Sequence, residues 1–253
     1  MKHFTKLFLL LLPLLLLAGC ELIKEDPVPP RPTEQVTVPT PAAQAMPVED
    51  FYDWMNEKTD MSRYAHGPKS SDSVNFVLHQ PGQYPLDFTF TAEGQAFTLP
   101  MTFDTLTSAG WNIEVGKAQA EMGPNKAMEA TWRSDSGERL LVRSGNVGTV
   151  NATYESCPLY RVTVIFRDMD DNYASQLSSA PEFSACGIGN DSTLDDVLGL
   201  LGAPTELTYG LAKGGQLSWL ELSYQNNALD YIALRFSGDG QLLTQLTLSR
   251  NIR

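Results

Sequence analysis

The residues that could do chemistry in this 253-residue chain are few and far apart. Beyond the first twenty positions the histidines are His66 and His79, thirteen residues apart in a loop-rich stretch with no paired cysteines. That spacing suits neither a zinc site nor a histidine relay that activates a nucleophile. Asp168-Met169-Asp170-Asp171-Asn172 gathers oxygen ligands but lacks the glycine and distal glutamate of a calcium loop, so it reads as a solvated turn. Gly187-Ile188-Gly189 has no third glycine or nearby lysine and is no phosphate cradle. Asn151-Ala152-Thr153 and Asn190-Asp191-Ser192 match the glycosylation triplet and read as turn or cap residues. No catalytic residue, cofactor or metal ligand is expected. The remaining chemistry belongs to three cysteines, Cys20, Cys157 and Cys186.

Leu17-Ala18-Gly19-Cys20 decides where the chain lives. Lys2, His3 and Lys6 precede an apolar run over residues 7–18, interrupted only by Pro13. A bilayer span needs about 20 apolar residues, so this shorter run reads as a secretory leader. With the tetrapeptide after it, the segment resembles the lipobox of bacterial lipoproteins. That resemblance implies cleavage before Cys20 and a diacylglycerol on its sulfur, which makes Cys20 the lipidation site. It also implies a membrane-anchored protein on the extracytoplasmic face, in the outer membrane if the cell has two, since Glu21 is not the aspartate associated with inner-membrane retention. Two acyl chains anchor stably where one does not.

Removing the leader takes Lys2 and Lys6 and leaves 16 basic against 30 acidic residues, a balance of −14. Such a surface argues against nucleic acid as a partner and against lying flat on anionic lipid. Export also brings Cys157 and Cys186 to a compartment where disulfides persist, and a bridge between them is expected. It would close a loop of about 30 residues and stabilise by roughly 3.6 kcal/mol in the chain-entropy model. The alternative is two reduced cysteines acting as small apolar residues.

These sites need elements to position them. Residues 1–19 form the leader. Residues 20–47 hold the lipidated cysteine and a stalk with seven of the 16 prolines and no aromatic residue. Stiff polyproline would let 27 such residues reach roughly 80 Å. Over residues 48–86 a short amphipathic helix, Glu49 to Met55, precedes loops and one strand, Val74 to Leu78. A first α+β unit spans residues 87–182, with a hairpin around Ala92-Glu93-Gly94, a helix from Thr102 to Gly110, and strands at Ala127 to Arg133, Leu140 to Ser144 and Tyr160 to Phe166. A second spans 183–253. There Ser192 and Asp195 cap a helix whose stripe is Leu194, Val197, Leu200 and Leu201, and three strands follow: Gln216 to Tyr224, Leu229 to Phe236 and Gln241 to Ser249. The helix stripes coincide at an offset of 91 residues, Phe103 onto Leu194 and Leu106 onto Val197, which suggests a tandem pair. The expected class is α+β, short helices packed on antiparallel meanders.

From Gly187 through Pro204 the chain resembles the SmpA/BamE group of small envelope lipoproteins: a glycine before a capped helix, Val197 within it, a Leu201-Gly202-Ala203-Pro204 exit, and a following antiparallel sheet. Tandem helix-on-sheet units also resemble the β-lactamase inhibitor protein fold. The resemblance implies a non-enzymatic binding or scaffolding module whose partner is another envelope protein or a surface ligand. The alternative is an envelope hydrolase whose carboxylates are too dispersed to read from sequence.

Overall fold

The computed structural model describes Asp53 and residues 73–78, 81–82, 84, 86–170, 173–176, 180–211, 217–238 and 242–252. The leader, Cys20, the stalk, the expected helix at Glu49 to Met55 (Asp53 apart), His66 and His79 lie outside the described residues. In chain order the strands are β1 (Ser73–Val77), β2 (Thr89–Ala92), β3 (Gln95–Thr98), β4 (Asn112–Ile113), β5 (Glu121–Met122), β6 (Ala127–Arg133), β7 (Arg139–Gly145), β8 (Ala152–Thr153), β9 (Leu159–Ile165), β10 (Arg167–Asp170), β11 (Tyr173–Gln176), β12 (Phe183–Ala185), β13 (Ile188–Gly189), β14 (Glu206–Leu211), β15 (Leu217–Gln225), β16 (Tyr231–Ser237) and β17 (Leu243–Ser249). Among the described residues, helices α1 (Phe103–Ser108) and α2 (Leu194–Leu201) accompany them.

Nine strands form one antiparallel sheet in the order β1-β14-β15-β16-β17-β9-β7-β6-β4, and β13-β12-β2-β3 form a second sheet. This corrects the expected α+β class. The fold is largely antiparallel β, and the helices are only six and eight residues long, because Gly110 and Gly202 follow them at φ 85° and 75°. The Val, Ile, Thr and Tyr tracts between them prefer strands. Strands β9 and β17, one from each of the two expected units, are hydrogen-bonded neighbours from Ile165–Gln245 to Arg161–Ser249, so a single sheet runs through both. Strand β12 crosses back in the same way to pair with β2, Phe183 opposite Ala92.

Period-two alternation gives the large sheet one apolar face. Phe76, Leu207, Leu222, Leu234, Leu246 and Val164 stand opposite one another in an unbroken row across six strands, all buried. Each such side chain contributes about 1.5–3 kcal/mol by leaving water. In the small sheet the Phe90 ring lies 5.2 Å from the rings of Phe97 and Phe183, and Phe183 meets Phe166, just after β9, at 6.3 Å. Helix α1 sets Phe103 on Trp132, ring centres 4.9 Å apart, while α2 buries Leu194, Val197 and Leu198. Trp132 also donates to the Tyr154 hydroxyl (3.1 Å), which donates to Val142 O (2.7 Å), so this buried polar pair is satisfied.

Local signals were read to within a residue or two. The hairpin turn is Glu93-Gly94, at φ 51° and 73°, the conformation of a two-residue primed turn. The cap of α2 sits one residue later than expected. Thr193 and Asp196 form the capping box, and Ser192 instead accepts from the Gly189 N–H at 3.0 Å. Leu200 consequently points outward and Leu198 takes its place inside.

Candidate functional site

The face of the large sheet opposite the apolar rows carries the polar residues. Ser223, Ala233, Thr247, Thr163 and Leu141 stand in register across β15, β16, β17, β9 and β7, a row of mostly small side chains. Two residues along each strand to either side, the rows are longer: Glu221, Arg235, Gln245 and Ile165 on one, and Gln225, Tyr231, Ser249, Arg161, Arg143 and Glu129 on the other. Small residues between two rows of long ones leave a trough that runs across the strands. Its volume is about 460 Å³. Four residues separate the flanking rows, so they stand about 13 Å apart at strand spacing.

One wall is electrostatically complete. Arg235 donates from Nε to Glu221 at 3.0 Å and places a second guanidinium nitrogen 2.9 Å from the same carboxylate. Its guanidinium also covers the Trp219 ring at 4.4 Å, a favourable cation–π geometry. Trp219 in turn lies so close to Gly210 that a Cβ there would come within 2.3 Å of the indole nitrogen.

The other wall is not complete. Arg143 and Arg161 are directly opposite on β7 and β9, an arrangement in which like charges repel. The Nε of each is buried without a hydrogen-bond partner. Among the described residues neither guanidinium forms an ion pair. A bulge sharpens the geometry: β9 slips by one residue between its pairings with Arg143 and Ser144, which sets Tyr160 beside Arg161. The Arg161 guanidinium lies 5.8 Å from the Tyr160 ring centre and 5.4 Å from that of Tyr231. Burial pushes the Tyr231 hydroxyl above its ordinary pKa, and the positive charges of Arg161 and Arg143 act against that rise.

The residues singled out in the sequence lie elsewhere. Cys157 and Cys186 are free thiols, which corrects the expected bridge. Cys157 is buried after the 3₁₀ turn Tyr154–Ser156 that leads into β9 of the large sheet. Cys186 closes the β12–β13 turn of the small sheet at φ 54°, with its thiol bonded to Asp87 O at 3.1 Å. Burial raises the Cys186 pKa, and that hydrogen bond opposes the rise. Asp168 and Asp170 belong to strand β10, not to a turn, and Asp171-Asn172 lie outside the described residues. Asn190 bonds local backbone, accepting from Phe183 N and donating to Pro181 O.

A second hollow, about 750 Å³, lies between the small sheet and the start of α2 and includes Glu182, Asp191 and Asp196. Asp196 is already engaged in the capping box, which holds its carboxyl below the usual range through bonds to the Thr193 backbone and hydroxyl. Among the described residues no group of three His, Cys, Asp or Glu side chains is placed to hold a metal ion, and no helix is long and apolar enough to cross a membrane.

The trough was missed in sequence. The strand expected at Leu229 to Phe236 contains Tyr231 and Arg235, but nothing in the sequence puts Arg161 beside Arg143 or joins β9 to β17. No protein-family model, curated protein or solved structure matches the chain.

Proposed function

We propose that this protein is a lipid-anchored module of the cell envelope, held at the extracytoplasmic face through Cys20, that binds another envelope protein on the open face of its nine-stranded sheet. The observation that carries this reading is the contrast between the sheet's faces: one buries a continuous apolar row, the other carries an ordered polar trough lined by Arg161, whose Nε has no partner, with Arg143 opposite it. The trough's polar groups are strung out along rows and do not converge on one point, which suits an extended contact better than a single reacting atom. The leader and Cys20 support the location, and the proline-rich stalk supplies the reach. In a cell with two membranes the anchor belongs to the outer one.

Two experiments test the two parts. Cys20→Ser should move the protein from the detergent phase to the aqueous phase or leave it unprocessed. A mature-size variant that still partitions with membranes contradicts the anchor. A photo-crosslinking residue at Thr247, on the trough floor, should yield one discrete adduct of defined mass in intact cells, and the same residue at Leu200, exposed on α2, should not. Equal adducts at both positions, or none at Thr247, contradict the binding face.

A further inference from the structure

We propose that the Arg143–Arg161 corner is a receptor for a single carboxylate, carried on an extended segment of the partner protein that lies in the trough. This rests on the reading of the open face as the binding surface and specifies what that surface recognises.

The first argument is charge. Two guanidinium groups directly opposite each other across a strand pair repel, and a native sheet retains such a pair at a cost in stability. Each leaves Nε buried and without a partner, although a buried N–H on a cation is the group that most needs an acceptor. An anion between their outer guanidinium nitrogens answers the repulsion. Its valence follows from the same row: Glu129 stands opposite Arg143 on the far side, so the two arginines and one glutamate carry a net single positive charge. A monoanionic carboxylate neutralises that charge, while a dianionic phosphate would overshoot it beside Glu129.

The second argument is geometry. A guanidinium presents two parallel N–H groups to the two oxygens of a carboxylate. Arg161 is held for this role by the tyrosine rings at 5.4 and 5.8 Å, which fix the plane of a side chain that otherwise loses rotamer freedom on binding. The bulge that brings Tyr160 to this position is the local departure from regular pairing, and it occurs at the Arg143–Arg161 step.

The third argument identifies the carrier. Sugar rings are usually gripped on open aromatic faces, but here the rings are already occupied: Arg161 lies against Tyr160 and Tyr231, and Arg235 covers Trp219. What the trough offers instead is hydroxyls and amides over a floor of small residues, between walls about 13 Å apart. That width admits one extended polypeptide with its side chains. A peptide carboxylate is therefore favoured over an acidic polysaccharide.

The test is a titration of the lipidated full-length chain in detergent micelles, followed by the arginine Nε–H signals in two-dimensional NMR. The probes are the blocked peptide acetyl-Ala-Ala-Glu-Ala-Ala-amide, its Gln counterpart, sodium acetate and trigalacturonate. The Glu peptide should shift the Arg143 and Arg161 signals saturably, and the Gln peptide should not. Arg161→Gln and Arg143→Gln should each weaken binding on the order of tenfold, while Lys126→Gln, the same charge change at an exposed site outside the trough, should leave it unchanged. Arg161→Lys, which keeps the charge but not the fork, should fall between. Backbone amide spectra of each variant show that it is folded.

Equal binding of the Gln peptide, or no binding of the Glu peptide, overturns the carboxylate receptor. Acetate binding as tightly as the peptide, or trigalacturonate binding more tightly, overturns the peptide carrier. If the titration fails while Thr247 still crosslinks in cells, the open-face reading stands and this inference alone falls.

Discussion

Arg235 and Arg161 rise from the same face of the same sheet and line the same trough, yet one is finished and the other is not. Arg235 has a carboxylate at 2.9 Å and an indole beneath it. Arg161 has two rings to orient it, a second arginine opposite it, and an Nε with nothing to bond. The difference separates a cation whose role is structural from one whose partner comes from outside. A folded chain satisfies nearly all its buried polar groups, and the facing arginines keep two Nε atoms that are not satisfied.

The comparison can be strained first at the finished corner. Gly210→Val would drive its side chain into the Trp219 indole. Overpacking of this kind costs about 1–3 kcal/mol, and a shifted indole also withdraws the surface on which Arg235 lies. Urea denaturation should show the loss, and the tryptophan emission of the folded state should move with it. A variant as stable as the parent would mean that the corner is loosely packed and the contrast overstated.

A smaller effect is expected from Glu221→Gln. The pair it forms with Arg235 is partly exposed, with 35% and 25% of the side-chain surfaces accessible, so solvent screens it and its removal should cost no more than about 1 kcal/mol. Because salt weakens such pairs, the difference from the parent should shrink at high ionic strength. A difference that persists in 1 M NaCl would assign the corner's stability to packing on Trp219 and not to charge.

The smallest effect sharpens the unfinished corner and appears only at high pH. Burial raises the Tyr231 pKa, with the charge of Arg161 opposing the rise. The folded protein therefore keeps a proton that the unfolded chain releases near its ordinary pKa of about 10. Stability from this group is fully present below that value and is lost as pH rises through the folded pKa. Tyr231→Phe should flatten the decline in stability above pH 10 and leave neutral pH unchanged. An unchanged slope would show that Tyr231 is not buried against Arg161 as described.

Much of the local structure was legible in the sequence because it is governed by neighbours along the chain. The strand of Tyr160 to Phe166, the turn at Glu93-Gly94 and the helix stops at Gly110 and Gly202 follow from alternation and from glycine at positive φ. The fold class was not legible, because the helical stripes of Phe103–Leu106 and Leu194–Val197 span only a turn or two and say nothing of how little helix surrounds them. Neither was the disulfide, since an even pair of thiols carries no information on whether they meet. The candidate site was the least legible part. Arg143 and Arg161 are eighteen residues apart in sequence and adjacent in space, and only the β7–β9 register reveals that their charges face each other. Composition pointed away from it, because a chain this acidic gives no hint of a cationic corner.

The central claim is that the Arg143–Arg161 corner is held in tension for a ligand, whereas the Arg235 corner is held for stability. Denaturation midpoints of Arg143→Met and Arg235→Met, measured side by side in the absence of any partner, test it most directly. Relieving the like-charge contact should make Arg143→Met more stable than the parent by about 0.2–1 kcal/mol. Losing the ion pair and the indole contact should make Arg235→Met less stable by about 1 kcal/mol. If Arg143→Met is instead destabilised as much as Arg235→Met, Arg143 is a structural residue like its neighbour across the trough, and the account of the corner as a binding site is contradicted.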